Sequence, residues 1–198
     1  MFTGIIEDMG RIVAIRPEGS NLQFEIQSRL APELKVDQSV AHNGVCLTVV
    51  SVSDAQYVVT AIDETLQKTS LGQLKAGDFI NLERCMPANG RFDGHFVQGH
   101  VDETGICTAK QALDGSWLFD FEYSPQSSNI TVEKGSITIN GVSLTCFSSG
   151  ENSFRVAIIP YTYQHTNFGY LEPGQKVNLE FDVIGKYLQK IIKNQKIS

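Results

Sequence analysis

Two six-residue stretches of this chain share one frame and differ at one reactive atom. Asn43-Gly44-Val45-Cys46-Leu47-Thr48 returns as Asn140-Gly141-Val142-Ser143-Leu144-Thr145. Cys46 as a thiolate adds to an electrophilic carbon, and as a thiol it packs as a small apolar group. Ser143 puts a hydroxyl in the same place, or serves as a turn residue. Further polar residues keep the same register: Thr48 and Thr65 match Thr145 and Thr162, Glu64 aligns with Tyr161, and Cys85 with Asp182. Paired hydroxyls along strand edges suit a polar, uncharged ligand, although threonine is also ordinary in strands and helix caps. Asp182 breaks the match with Cys85, and an acid there acts on a bound ring or is simply solvated.

Two of the four histidines, His95 and His100, lie in Gly94-His95-Phe96-Val97-Gln98-Gly99-His100-Val101-Asp102. Their odd spacing puts them on opposite sides of a continuous strand. With no third ligand in the pattern, no metal site is expected. One of them beside a pocket would donate or accept a proton; the other reading is a surface or hydrogen-bonded histidine. The four cysteines, Cys46, Cys85, Cys107 and Cys146, form no Cys-x-x-Cys pair, which argues against a zinc knuckle or a thioredoxin-type motif.

The shared frame extends beyond the hexapeptide. Thr65, Gln67, Thr69 and Gly72 fall on Thr162, Gln164, Thr166 and Gly169, and Gly77, Asn81, Leu82 and Glu83 fall on Gly174, Asn178, Leu179 and Glu180. Gly4 and Gly10 match Gly99 and Gly105 at a slightly shorter offset. The period is nearly half of 198 residues, far above the roughly 20–50 of solenoids and propellers. It indicates two tandem domains of one fold.

The elements that must carry these residues are short strands. Leu22, Phe24 and Ile26 alternate with Gln23 and Glu25, the pattern of a half-buried strand. Further strands are expected at 12–15, 40–42, 47–52, 57–62 and 78–83, and in the second half at 105–108, 117–123, 136–139, 144–148, 154–159 and 176–182. Short helices are expected from Asp63, an N-cap, to Gly72, and at Pro125–Asn129 and Thr162–Asn167. A single helical turn is expected around Ala31-Pro32-Glu33-Leu34. Many short strands with glycine punctuation indicate an all-β protein of small closed barrels. Met86-Pro87-Ala88-Asn89-Gly90-Arg91 is the expected linker. From Gly185 onward, Tyr187, Leu188, Ile191 and Ile192 make one apolar helical stripe, with Lys186, Lys190, Lys193 and Lys196 beside it. That stripe either docks on its own barrel or contacts another subunit.

A hydrophobic content of 41% and a charged content of 19% are those of an ordinary globular protein. A net charge of −6 and a pI near 5.2 argue against nucleic-acid and anionic-membrane partners, which call for basic patches. No apolar run approaches the roughly 20 residues of a membrane-spanning helix. The N-terminal residues have no basic region ahead of an apolar stretch, so no secretory signal is expected and reduced thiols in the cytoplasm are.

Met-Phe-Thr-Gly-Ile-Ile-Glu at the start, Ser39 to Val49, Gly94 to Asp102 and Ile139 to Thr145 together resemble the riboflavin synthase family, α-chain type, over nearly the whole chain. The resemblance implies two pseudo-symmetric six-stranded barrels, divided here as 1–86 and 87–184, with a C-terminal helix at 185–198 that assembles a homotrimer. It implies dismutation of two molecules of 6,7-dimethyl-8-ribityllumazine, one giving a four-carbon unit to the other, with no metal or redox cofactor. The products are riboflavin and 5-amino-6-(ribitylamino)uracil. By the same likeness, the site lies between the first barrel of one subunit and the second barrel of another.

Carried over residue by residue, the likeness makes Cys46 a nucleophile or polar partner and His100 a proton shuttle near the reacting ring. Ser143 and Asp182 become polar residues of the second pocket, and Phe2 a residue needed for activity. Ser39, Thr48, Glu64 and Thr65 would contact ligand in the first barrel, and Lys134, Thr145, Ile159 and Thr162 in the second. Val45 stands where some members have a second cysteine. Lumazine synthase is a further partner the likeness raises. A non-catalytic lumazine- or flavin-binding protein, of the optical antenna kind, is the competing reading.

Overall fold

A computed structural model describes residues 1–195. The first half of the chain forms six strands, β1 (Asp8–Glu18), β2 (Asn21–Gln27), β3 (Ser39–His42), β4 (Val45–Val52), β5 (Gln56–Ala61) and β6 (Phe79–Arg84). These close on themselves in the order β1-β2-β5-β4-β3-β6. β7 (Glu103–Leu113), β8 (Ser116–Glu122), β9 (Ser136–Ile139), β10 (Val142–Phe147), β11 (Ser153–Ile158) and β12 (Lys176–Phe181) close in the same cyclic order. The chain is thus two six-stranded antiparallel barrels, as the repeat requires. Closure leaves no open sheet edge in either.

Local sequence explains the turns and the curvature. Each Asn-Gly pair is a two-residue hairpin turn with both residues left-handed: Asn43 at φ 46° and Gly44 at φ 79°, Asn140 at φ 47° and Gly141 at φ 81°. That is the geometry for which Asn-Gly is preferred. Matched bulges, between Ile12 and Ala14 in β1 and between Cys107 and Ala109 in β7, bend the long strands around their barrels. Inward positions fill two separate cores. The first is aliphatic around Phe24 and Tyr57, and the second is built on Phe119, Phe121, Phe154 and Phe168. Each buried phenylalanine stabilises its barrel by about 2 kcal/mol.

The first core holds a polar pair that the second lacks. His42 Nδ1 lies 3.0 Å from the Val40 carbonyl, so it carries the hydrogen, and Nε2 accepts from the Tyr57 hydroxyl at 2.8 Å. At the matched positions the second barrel has Ile139 and Phe154. Complete burial lowers the His42 pKa from 6.5 to about 4.

The barrels meet along a local two-fold axis. A Cβ on Gly44 would stand 2.8 Å from the Gly141 backbone nitrogen, and one on Gly141 2.7 Å from that of Gly44, so only two glycines can face each other there. Beside them a ring of buried asparagines reaches across. Asn81 Nδ2 donates to the Asn140 carbonyl at 2.9 Å, and Asn178 Nδ2 to the Asn43 carbonyl at 2.9 Å. Asn43 and Asn140 Oδ1 in turn accept from the backbone N–H of Asn81 and Asn178, each at 2.8 Å.

The helices depart from the sequence expectations in detail. α1 (Asp63–Lys68) has Ile62 at its N-cap, while Asp63 lies inside the first turn and accepts from Gln67 at 2.7 Å. Gly72 does not end it; Thr69 does, its hydroxyl donating to the Thr65 carbonyl at 2.7 Å. α2 (Pro160–His165) begins two residues earlier than expected, with proline in the first turn, where its missing N–H costs nothing. Pro125–Asn129 is not a helix. The Ser127 hydroxyl and Asn129 Nδ2 are both spent on Glu103, and such side chains compete with helical backbone bonds.

α3 (Val183–Gln195) begins at Val183 rather than Gly185; Lys196 and the two residues after it lie outside the described residues. Asp182 caps it, accepting the Ile184 N–H at 2.9 Å. Its apolar stripe is not docked on the barrel: Tyr187 is 69% exposed, Leu188 54%, Ile191 52% and Ile192 51%. Polar contacts tether it instead, Lys186 to Asp102 at 2.7 Å and Gln189 to the Ser128 carbonyl at 2.7 Å.

Candidate active site

Strand alternation turns Val40, Leu47 and Val49 into the first core and leaves their neighbours on the outer face. In the β3–β4 hairpin, Ser39 pairs with Thr48 and Ala41 with Cys46. In the β9–β10 hairpin, Ser136 pairs with Thr145 and Thr138 with Ser143. Each barrel therefore offers a small polar panel, with Cys46 or Ser143 half-buried and Thr48 or Thr145 exposed. The two panels share a shape and differ in chemistry.

Two extended straps brace the panels crosswise. Phe2 and Val97 exchange backbone bonds, Phe2 N to Val97 O at 2.7 Å and Val97 N to Phe2 O at 3.2 Å. The Gly4 carbonyl accepts from Ser143 N–H at 2.8 Å, and the Gly99 carbonyl from Cys46 N–H at 2.8 Å. Each strap is clamped by a buried carboxylate of the last strand of its own barrel. Glu83 accepts from Thr3 N–H at 2.7 Å, the Thr3 hydroxyl at 3.0 Å and Gly4 N–H at 2.9 Å. Glu180 accepts from Gln98 N–H at 2.7 Å and from Gly99 and His100 N–H, each at 3.0 Å. Burial outweighs these bonds and holds both carboxyls above the usual glutamate range. Phe2 is wholly buried at the centre of this brace.

The histidine that reaches a panel is His95. Its Nδ1 lies 2.7 Å from Ser143 Oγ and its Nε2 3.1 Å from Thr138 Oγ1, and the residue is 9% exposed. Burial lowers its pKa and the Asp182 carboxylate partly restores it, so the ring is neutral at pH 7. His100, the histidine singled out by resemblance, has an exposed side chain and bonds Glu180 through its backbone N–H. At the first panel, burial raises the Cys46 thiol, opposed in part by the Ser39 hydroxyl. Its resting form is the thiol, a weak donor and a latent nucleophile.

The remaining predicted residues make their contacts away from the panel side chains. Glu64 is exposed on α1 and pairs with Lys68 at 2.7 Å, which lowers its pKa. Thr65 and Thr162 are half-buried and give their carbonyls to Thr69 and Thr166, each at 2.7 Å. Ile159 is 59% exposed ahead of α2. Lys134 is left-handed at φ 63° and holds its Nζ 5.1 Å from the centre of the Phe147 ring. Asp182 is engaged as the α3 cap. Among the described residues, no hydrogen bond joins the α1 or α2 residues to the panels.

Sequence reasoning missed three things. It noted Glu83, Glu180 and the asparagines as repeated but gave them no role, and it left His95 without a partner. A cavity of about 710 Å³ lies at the seam by Asn43, Asn140, Phe79 and Tyr170, and none of the predicted site residues lines it. Among the described residues, no cluster of three or more His, Cys, Asp or Glu has the geometry to hold a metal ion.

Comparison with known proteins accords with this architecture. The lumazine binding domain model matches twice, at residues 3–85 and 98–182. Riboflavin synthase of Actinobacillus pleuropneumoniae is 44% identical over 194 residues, covering 97% of this chain and 90% of its own. Riboflavin synthase of Bacillus subtilis (strain 168) is 41% identical over 193 residues, with the same coverages of 97% and 90%. The crystal structure of LumP complexed with 6,7-dimethyl-8-(1'-D-ribityl)lumazine superposes with a TM-score of 0.83 at 21% identity, over 91% of this chain and 98% of that one, which shows the shared fold. Two lumazine-binding barrels in tandem, with their panels braced about one axis, place this chain in the riboflavin synthase family of enzymes.

Proposed function

We propose that the chain is a riboflavin synthase that dismutates 6,7-dimethyl-8-ribityllumazine. One molecule gives a four-carbon unit to a second, forming riboflavin and 5-amino-6-(ribitylamino)uracil. The observation that carries this reading is the pair of like panels with unlike reactive atoms, Cys46 in one and Ser143 in the other. Two molecules of one substrate need two similar pockets, and their different parts in the reaction need a local difference. Held as near-attack partners, they react without the entropy cost of encounter, which is worth several powers of ten in rate.

In this reading Cys46, His100, Ser143 and Asp182 handle the reacting rings. Ser39, Thr48, Glu64 and Thr65 hold one ligand, and Lys134, Thr145, Ile159 and Thr162 the other, with Phe2 setting the brace between them. The domains are 1–86 and 87–184, with α3 as the oligomerisation helix. The exposed stripe on α3 supports a homotrimer, in which the first barrel of one subunit would complete a site with the second barrel of the next. The protein would act in the cytoplasm, and a lumazine synthase shell is a further partner.

The test is to incubate the protein with 6,7-dimethyl-8-ribityllumazine alone and follow riboflavin fluorescence. Turnover is expected; tight binding without turnover would make the chain a lumazine- or flavin-binding protein instead. For the trimer, the chain truncated after Asp182 is expected to sediment as a monomer, and a truncated chain that keeps the mass of three would remove α3 from that role.

A further inference from the structure

We infer that the seam between the barrels holds a second binding site, for a planar fused heterocycle with a hydrogen-bond acceptor at one end and an anionic group at the other. The site is separate from the panels and does not depend on the lumazine reading. Alternation in the last strand of each barrel lays out the seam. Ile80 and Leu82 enter the first core, which leaves Phe79, Asn81 and Glu83 on the opposite face of β6. Val177 and Leu179 enter the second core and leave Lys176, Asn178 and Glu180 on the opposite face of β12. The glutamates hold the straps, the asparagines cross the local two-fold axis, and Phe79 and Lys176 line the cavity of about 710 Å³. Phe79 lies roughly 13 Å along the strand from Glu83, so cavity and straps occupy opposite ends of the seam.

The two-fold symmetry fails at the cavity floor, and that failure opens it. The repeat matches Ser70 with Asn167. The Asn167 carboxamide fills its half of the floor. Its Oδ1 accepts from Asn81 Nδ2 at 2.9 Å and from Asn140 Nδ2 at 3.5 Å, and its Nδ2 donates to Asn43 Oδ1 at 3.0 Å. Ser70 keeps the matched backbone bond, its N–H donating to Asn178 Oδ1 at 2.7 Å, but its side chain is too short to do the rest. Among the described residues no hydrogen bond engages Asn43 Nδ2 or Ser70 Oγ, although these residues are only 2% and 7% exposed. No fully enclosed side-chain polar atom among the described residues is unpaired, so these two open onto the cavity that they line. An amide N–H and a hydroxyl, both largely withdrawn from water, call for an acceptor.

Two unlike walls rise from that floor. Phe79 and Tyr170 stack across the seam, with ring centres 5.2 Å apart and planes within 10°, and both stay exposed. Their partners in the repeat are Lys176 and Gln73, so the matched wall offers an ammonium and a carboxamide. Asp78 and Gln175, also matched, brace their own turns by accepting from the N–H groups of Lys75 and Glu172, each at 2.8 Å. The Glu172 carboxylate is taken by Lys110 at 2.6 Å. No salt bridge among the described residues engages Lys176, whose charge is left for a ligand. A flat ring on the aromatic wall, an acceptor on Asn43 and Ser70 and an anion towards Lys176 together use every unmatched feature of the cavity. The volume is that of a small-molecule site.

The probe is 4-methylumbelliferyl phosphate, a coumarin with a ring carbonyl at one end and a phosphate at the other. Its uncharged counterpart is 7-methoxy-4-methylcoumarin. Calorimetric titration of the full chain is expected to show saturable binding of the phosphate, about tenfold tighter than the neutral coumarin. Lys176→Met should abolish that preference and leave the neutral coumarin unaffected. Tyr170→Ala should weaken both about tenfold. Ser70→Asn copies the residue already present at the matched place and fills the floor, so it should fold normally and weaken both by about tenfold or more.

A wild-type chain that binds neither coumarin would overturn the proposal, as would a phosphate preference that survives Lys176→Met. Binding indifferent to Ser70→Asn would place the ligand elsewhere and overturn it too, and that variant decides the matter if Tyr170→Ala does not fold. Lumazine turnover is not read in this experiment, so the two proposals stand or fall separately.

Discussion

Replacing Glu180 by glutamine is expected to destabilise the protein by about 4 kcal/mol and, less obviously, to expose a thiol in the other barrel. The carboxylate is 2% exposed and takes three backbone N–H groups on its two oxygens. A carboxamide has one accepting oxygen, so its NH2 must face at least one N–H, donor against donor. The strap it holds is the one whose Gly99 carbonyl takes the Cys46 N–H. Gly99 itself, at φ 79°, passes so near that an added Cβ would lie 2.7 Å from Cys46 Cβ. Loosening the strap uncovers the thiol. Alkylation of Cys46 by iodoacetamide, mapped by peptide mass, should then run faster in Glu180→Gln than in wild type. Glu83→Gln is expected to cost similar stability but to leave Cys46 unchanged, since its strap supports Ser143. If the two variants alter Cys46 alike, the crosswise bracing is not what seats that residue.

Acid should unfold the first barrel before the second. His42 titrates near pH 4 when folded and near 6.5 when unfolded. The native state therefore binds fewer protons than the unfolded state in that window, and stability rises with pH across it. The contribution is complete above about pH 6.5 and is lost as pH falls towards 4, at up to about 1.4 kcal/mol per pH unit, or about 3 kcal/mol in all. Protonation at Nε2 also removes the acceptor for the buried Tyr57 hydroxyl. The second barrel supplies the control: His42→Ile with Tyr57→Phe copies Ile139 and Phe154. Removing both polar partners together strands neither, so little stability should be lost at pH 7. Urea midpoints measured from pH 7 to pH 4 should lose their slope in this window; an unchanged slope would place the acid sensitivity elsewhere.

The barrels were legible in the sequence because a repeat reports fold without any contact being known. Alternation in Leu22–Ile26, Asn-Gly at both hairpins and matched glycines are local signals, and the structure places each where it was expected. The unlike pair Cys46 and Ser143 was legible for the same reason, since a repeat makes its own exceptions visible. Contacts between distant segments were not legible. Glu83 and Glu180 read as ends of alternating strands, and only the path of the straps shows why a carboxylate is buried there. His95 lies outside the aligned repeat, so nothing marked it above His100. Pro125–Asn129 failed for a nearer reason: Ser127 and Asn129 follow Glu103, a partner no local pattern reveals.

The join between the halves has a consequence that bears on how such a molecule could arise. A pair of separate, identical subunits meeting at Gly44 and Gly141 would have one gene for both faces. Any change in one cavity would then appear in its twin, and a thiol on one side could never oppose a hydroxyl on the other. A single polypeptide carrying both halves escapes that bind. It keeps the inherited geometry of a symmetric couple while letting each member mutate alone, and division of labour between two copies of one reactant becomes available to selection.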